Sequence, residues 1–252
     1  MNARRNKLAF ACGALVAAIA APTTASAGEK VDWVVAPYLW LPTITVDLAS
    51  ERPPVGGGGG GQEDFFPEIF DDLDGAFLGY AEVQGDHWGA FANVLFIGLS
   101  SDEDFAIADT ESDIDATVID AAAVYSFDSE RFAGFELYGG LRYVDIDYRT
   151  DITFTNTAIQ PRTASFEDSY SDFLFGGRYR GSWSDRWGYT IELDGSTGDT
   201  EGTWSTSARI QYRTGNGAWV FGWRYLDGEI EATRESLDIT LNGPVIGYAF
   251  RF

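Results

Sequence analysis

The sequence predicts an all-β protein: a closed antiparallel up-and-down transmembrane β-barrel, with ten strands expected and eight as the fallback. Three observations lead there. Ten segments of about ten residues alternate apolar and polar side chains, with no sustained helical period. The connections between them alternate between short and long. Aromatic residues collect at the segment ends, where a membrane barrel carries its interfacial girdles.

Alternation is diagnostic because successive side chains of a strand point to opposite faces, so a strand between lipid and a polar interior must alternate. Residues 31–41 put Trp33, Val35, Leu39 and Leu41 on one side. Residues 73–84 set Phe77, Ala81 and Val83 against Tyr80, Glu82 and Gln84. In 88–99, Trp88, Ala90, Ala92, Val94 and Phe96 oppose Asn93. In 115–127, Ile119, Ala121, Ala123 and Tyr125 oppose Asp120 and Ser126. Residues 135–148 place Leu137, Leu141 and Tyr143 opposite Glu136 and Arg142. Residues 169–183 place Phe173, Phe175 and Tyr179 opposite Asp172, Arg178 and Arg180. In 187–197, Tyr189, Ile191 and Leu193 oppose Glu192 and Asp194. In 203–213, Trp204, Ala208, Ile210 and Tyr212 oppose Arg209, Gln211 and Arg213. In 218–227, Trp219, Phe221, Trp223 and Tyr225 oppose Arg224. Residues 237–252 end with Ile246, Tyr248, Phe250 and Phe252 opposite Arg251.

The stretches 85–87, 128–133, 184–186 and 214–217 read as short turns. The stretches 42–72, 100–114, 149–168, 198–202 and 228–236 read as the opposite, longer connections. Short turns on one side and longer loops on the other are the habit of outer-membrane barrels. Trp33, Trp88, Phe135, Trp183, Trp187 and Trp219 mark the turn ends. Phe77, Tyr143, Tyr170, Trp204 and Tyr225 are expected near the loop ends.

Residues 1–27 read as a secretory signal peptide, with 28–252 as the barrel domain. Arg4, Arg5 and Lys7 precede an apolar run over 8–20, and Ala25-Ser26-Ala27 is a cleavage site. Cleavage near Ala27 removes those three basic residues and no acidic ones, so the formal charge falls from −22 to −25. It also removes Cys12, the single cysteine, and with it any thiol chemistry. A sequence pI near 4.1 excludes nucleic acid as a partner, since phosphate binding needs a basic face. The expected location is the outer membrane of a Gram-negative bacterium.

Parity sends Glu82, Asp120, Glu136, Asp172, Glu192 and Asp194 inward, together with Arg142, Arg178, Arg180, Arg209, Arg213, Arg224 and Arg251. Charges in a narrow bore need partners, which predicts a network of Arg–carboxylate bonds. A charged constriction that selects solutes is the other reading. The limited interior of a barrel of about ten strands favours the network.

The acidic excess then belongs to the connections: Glu63, Asp64, Glu68, Asp71 and Asp72 in the first, Asp102 to Asp104 and Asp109 to Asp113 in the second, Glu229, Glu231 and Glu235 in the last. A solvated, repulsive surface accounts for them. Divalent cations are the alternative partner, although no stretch matches a calcium loop. Within 42–72, Pro53-Pro54 and the glycines 56–61 make a flexible linker, and 65–73 has the pattern of a short helix capped by Asp64.

Chemistry of sites is thinly represented. His87 is the only histidine and sits in a short turn beside Trp88. No nucleophile–base pair or metal-ligand spacing accompanies it, so no catalytic, cofactor or metal site is expected.

The chain closes on Tyr248-Ala249-Phe250-Arg251-Phe252, with Tyr248, Phe250 and Phe252 at alternate positions. This resembles the C-terminal signal read by the outer-membrane barrel-assembly machinery. More widely, the chain resembles an uncharacterised family of Gram-negative outer-membrane β-barrel proteins. The likeness rests on Ile69-Phe70-Asp71-Asp72-Leu73 running into Ala76-Phe77-Leu78-Gly79, on Glu82 and Trp88-Gly89, and on Gly176-Gly177-Arg178-Tyr179. It continues with Trp204, with Gly222-Trp223-Arg224-Tyr225-Leu226 and with Gly243-Pro244 through Phe252; the run of six glycines departs from the pattern. The resemblance implies location and fold, with outer-membrane lipids and the assembly machinery as partners, and transfers no catalytic residue. The functional expectation is a narrow channel or structural wall component. A surface-interaction module binding cations, lipopolysaccharide or a partner is the alternative, ahead of a lipid- or peptide-modifying enzyme.

Overall fold

The computed structural model of the chain describes residues 31–49, 62–64, 73–104, 108–155, 160–200, 202–232 and 235–252. The expected leader, the glycine run and the helix expected over 65–73 lie outside these residues, apart from Leu73, which opens a strand.

The strands are β1 (Asp32–Trp40), β2 (Thr43–Ala49), β3 (Gln62–Asp64), β4 (Leu73–Gln84), β5 (Trp88–Asp104), β6 (Ala108–Ser126), β7 (Gly134–Phe154), β8 (Arg162–Ser182), β9 (Trp187–Gly198), β10 (Gly202–Arg213), β11 (Gly217–Ala232) and β12 (Glu235–Arg251). Ten of them form an antiparallel meander, β1-β4-β5-β6-β7-β8-β9-β10-β11-β12, and β1 pairs back onto β12 to close the ring. The seam runs from Trp40↔Val245 down to Val34↔Arg251, and Trp33 and Phe252 exchange backbone hydrogen bonds of 3.0 and 2.9 Å. Closure leaves no strand edge inside the ring, which lipid would leave unsatisfied.

Strands β2 and β3 stand outside the ring. After Leu41 and Pro42, β2 continues along the upper part of β12, from Thr43↔Asn242 to Ala49↔Ser236, and β3 pairs with β2. The stretch 42–72 expected as a loop therefore contains two short strands.

The register sets the tilt. Successive partners lead from Val34 through Glu82, Phe91, Ala122, Gly140, Leu174, Ser196, Thr203 and Gly228 to Ile239. Val34 itself pairs with Arg251, twelve residues further along the last strand. This stagger corresponds to strands inclined by about 40° to the barrel axis.

The connections at the loop end differ from expectation. Strands β5 to β8 run 17, 19, 21 and 21 residues. Much of 100–114 and 149–168 is thus paired strand, with Asp104↔Asp109 and Ile152↔Arg162 near the tips. Likewise β11 and β12 stay paired as far as Ala232↔Glu235. Beyond lipid both faces of a strand are polar, so the alternation fades, yet the backbone ladder continues because it needs no apolar side chain.

The outer wall carries Leu137, Leu141, Phe173, Phe175, Ile191, Leu193, Phe221 and Ile246, all exposed. At the turn end the rings touch in sequence: Trp88 meets Tyr125 at 5.1 Å, Tyr125 meets Phe127 at 5.2 Å, Trp187 meets Tyr212 at 4.9 Å and Tyr248 meets Phe250 at 4.7 Å. At the loop end Trp204 and Tyr225 pair at 4.8 Å. Tyr170 departs from the girdle expected for it. It shares the inward parity of Asp172 and Leu174 and is buried.

Candidate functional site

The interior is the candidate site, because inward parity there collects the charged side chains that the outer wall excludes. Two apolar clusters pack inside the ring. One joins Phe91, Ala122, Val124, Tyr138 and Leu174, with Tyr80 against it. The other joins Trp40, Leu78, Leu95 and Val245, with Tyr38, Ile97, Val118, Leu226 and Leu241 around it. Given the stagger, the second lies nearer the loop end, on the β1/β4/β5 side of the bore.

Two arginine-centred clusters lie beside them. Arg178 on β8 binds Glu136 on β7 through Nε and Glu82 on β4 through Nη2. Its Nη1 donates to the Tyr80 hydroxyl at 2.8 Å. Tyr80 donates to Glu82 Oε2 at 2.6 Å, as does Arg180. Gln84 donates to Glu136 Oε1 at 2.6 Å. The rings of Phe91 and Tyr138 face the Arg178 guanidinium at 5.4 and 5.8 Å. Glu136 and Arg178 are register partners, whereas Glu82 reaches Arg178 across the interior.

Arg142 on β7 centres the second cluster. Its Nε donates to Asp120 Oδ1 at 2.8 Å and its Nη2 to Asp194 Oδ1 at 3.0 Å. Nη1 donates to Thr203 Oγ1 at 2.7 Å. Carboxylates flank Arg142 in register on both sides, Asp120 and Asp172, yet it takes Asp120 and the more distant Asp194. Asp172 instead accepts from Ser196 Oγ at 2.8 Å and from the Thr200 backbone N–H at 3.0 Å. It therefore braces the β9–β10 turn rather than joining an arginine.

The remaining inward charges are placed as follows. Glu192 binds Arg209 and accepts from the Tyr138 hydroxyl at 3.0 Å. Arg213 donates to Ser182 Oγ at 2.6 Å. Arg251 binds Asp32 at 2.7 Å on the rim of the seam. Arg224 has no carboxylate partner among the described residues and lies over the Trp40 ring at 5.0 Å. Glu82, Glu136, Arg142 and Arg178 are almost wholly enclosed. Ion pairs so buried hold the desolvation cost of their charges only while complete.

Sequence reasoning placed Tyr80 and Gln84 on the inner face without assigning them partners, and it missed Tyr138, Thr203 and Ser205, whose neutral side chains carry no charge signal. It also missed the turn that folds in at the β6–β7 end. Arg131 binds Asp86 at 2.8 Å and Asp32 at 3.5 Å. Phe132 takes a left-handed φ of 57°, a region that bulky residues rarely enter. Its N–H donates to Gln84 Oε1 at 2.6 Å, and the guanidiniums of Arg180 and Arg251 flank its ring at 5.3 and 5.2 Å. Outside the span, the Arg251 hydrogen bond holds the Asp32 carboxyl below its ordinary pKa, against a smaller opposing effect of burial.

Between the clusters and this turn end lies a cavity of about 470 Å³. Its lining runs from the turn at Thr214 and Asn216 up to Arg142, Asp120 and Arg224. Trp40, Ile97, Val118 and Leu241, further toward the loop end, are not part of it. The shape is that of a vestibule entered from the turn end.

His87 lies in the β4–β5 turn, where its Nδ1 donates to the Ser126 carbonyl at 3.0 Å and its ring stacks on Tyr125. Tyr248 and Phe250 lie on the outer face of β12, and Phe252 ends the chain exposed at the seam.

No family model matches the chain, and no curated protein does. Solved structures do. The outer membrane protease OmpT from Escherichia coli is 10% identical, with 91% of this chain and 99% of that chain covered and a TM-score of 0.49. Ail, the attachment invasion locus protein of Yersinia pestis, is 10% identical, over 88% of this chain and 99% of that one, at 0.34. The outer membrane protein OprG from Pseudomonas aeruginosa is 12% identical, over 89% and 97%, at 0.30. No residue's role is carried from them to this chain. These similar structures are Gram-negative outer-membrane proteins, and the chain's own strands form a closed ten-stranded ring.

Proposed function

We propose that the chain is an integral outer-membrane barrel whose bore is shut partway along, a structural component of the membrane wall rather than an open pore. The observation that carries this reading is the Arg142 cluster, tied to Asp120, Asp194 and Thr203 on three other strands. The Trp40 cluster packs on the opposite side of the interior. A water-filled path past both would have to break buried ion pairs or hydrate an apolar cluster.

Support for the location comes from the apolar outer wall, which among the described residues carries no charged side chain between Trp33 at one end of the ring and Tyr143 at the other. Lipids then contact the aromatic girdles, and the assembly machinery reads Tyr248, Phe250 and Phe252 on the outer face of β12. No catalytic step belongs to this reading. The test is a planar-bilayer recording of the refolded mature chain. The expected trace is flat, and the double variant Arg142→Ser/Trp40→Ala introduces conductance steps. Stable steps from the unmodified chain would overturn the reading.

A further inference from the structure

The vestibule is more than leftover space between the ion-pair clusters. Its volume, about 470 Å³, falls within the range of small-molecule pockets. Part of the lining is apolar and aromatic, with Tyr38, Phe91 and Val245 among its residues. Strands β10 and β11 present Arg209 and Arg224 to the same space. Arg224 faces Ser207 across the ladder, and Arg209 faces Gly222, so the two guanidiniums are diagonal neighbours on the inner face. A Cβ on Gly222 would stand 2.5 Å from the Ala208 carbonyl oxygen and 2.7 Å from Arg209 Cγ, so only glycine fits beside the arginine stem there.

The hydrogen-bond inventory of this space is one-sided. Every carboxylate oxygen that lines it already accepts a bond. Asp120 receives both from Arg142. Glu192 receives from Tyr138 and Arg209. Asp194 receives from Arg142 and Ser205, and Glu82 from Arg178, Tyr80 and Arg180. The charged group left without a hydrogen bond is a donor. Arg224 makes no hydrogen bond or salt bridge with the described residues; it lies over the Trp40 ring and attracts Glu192 and Asp194 only from a distance. Arg209 Nε is buried without a partner, and so is Trp40 Nε1 beneath Arg224. Asn93, whose carbonyl oxygen is taken by Tyr38, also lines the cavity. Buried donors without acceptors are costly, and a cation in a partly enclosed site favours an anionic ligand.

We infer that the vestibule binds a small organic anion, a monocarboxylate with an apolar body. It enters from the turn end, sets its carboxylate on Arg224 with Arg209 behind, and lays its body against Tyr38, Phe91 and Val245. A cation would have to compete with the arginines and hydroxyls already bonded to every lining carboxylate oxygen. A neutral isostere would leave Arg224 unpaired. The inference goes beyond the wall-component reading and does not depend on whether the barrel conducts.

The test is calorimetric titration of the refolded mature barrel with benzoate, benzamide and benzamidine, which share one ring and differ in charge. Saturable binding of one benzoate is expected, with benzamide weaker by about tenfold or more and benzamidine silent. Arg224→Gln lowers benzoate affinity by about tenfold while leaving the heat-modifiable gel mobility unchanged. The three-probe comparison on the unmodified barrel stands even if that variant does not fold. Absence of saturable benzoate binding, equal affinity for benzamide, or a folded Arg224→Gln that binds benzoate unchanged would each overturn the inference.

Discussion

Tyr138 on β7 faces Gly176 on β8, and because glycine offers no side chain there, the tyrosine lies across it and its hydroxyl reaches Glu192 on β9 at 3.0 Å. One missing Cβ thus connects three strands. It also brings Tyr138 beside Arg178, so the glycine supports the first ion-pair cluster without touching it.

Gly176→Val tests this relationship. Even the Cβ would stand 2.5 Å from the Tyr138 ring, so the ring must leave and Glu192 loses a donor. Overpacking of this kind costs about 1–3 kcal/mol. Urea unfolding of the refolded barrel, followed by tryptophan emission, is expected to shift its midpoint down by a corresponding amount. Gly139→Ala, whose Cβ would meet nothing closer than 3.7 Å, serves as the control.

Arg178 holds Glu82 and Glu136 at once. Arg178→Met leaves two buried carboxylates with Arg180 as their one remaining cation and is expected to destabilise the barrel by about 3–5 kcal/mol. Adding Glu82→Gln, Glu136→Gln and Arg180→Gln is expected to recover most of that loss, since the cluster then carries no charge at all. The same unfolding measurement distinguishes the two outcomes.

Charge on the outer wall should be tolerated by depth. Leu193, 59% exposed, lies about midway along β9 on the outer face. Leu193→Arg is expected to cost about 2–4 kcal/mol, whereas Trp187→Arg at the girdle costs about 0–1 kcal/mol plus its lost ring contacts. Folding into lipid vesicles, scored by the heat-modifiable band, measures the difference; equal costs at the two depths would argue that this wall does not face lipid.

The seam should respond to acid. Asp32 has its pKa lowered from 3.8, chiefly by the Arg251 hydrogen bond. A depressed carboxylate contributes stability that is present above the ordinary value and is lost as pH falls through the folded value. The gap in stability between the unmodified chain and Asp32→Asn is therefore expected to stay constant down to about pH 4 and to close below it. A gap that closes between pH 8 and pH 6 would contradict the assignment.

Much of this architecture is local and was legible in the residues. The period of two identifies the strands, sends Leu137 and Leu141 outward, and sends Glu136 and Arg142 inward, because neighbouring side chains on a strand must point opposite ways. Aromatic clustering marks Trp88, Trp187 and Trp204 as boundary residues for an equally local reason: an amphipathic ring prefers the interface. The lengths of β6, β7 and β8 were not legible, because beyond lipid the pattern vanishes while the backbone pairing continues.

By itself, then, the sequence determined the strand class, the direction each side chain takes and the apolar band. Only the tertiary structure decided which inward charges meet. Arg178 and Glu82 are 96 residues apart, and nothing near either one names the other. Their meeting depends on the stagger accumulated over ten strands and closed between Val34 and Arg251. The same geometry steers Arg142 to Asp194 rather than to Asp172, and leaves Arg224 without a carboxylate over Trp40. Parity follows from one residue and its neighbour, whereas height and distance across the bore are properties of the closed ring.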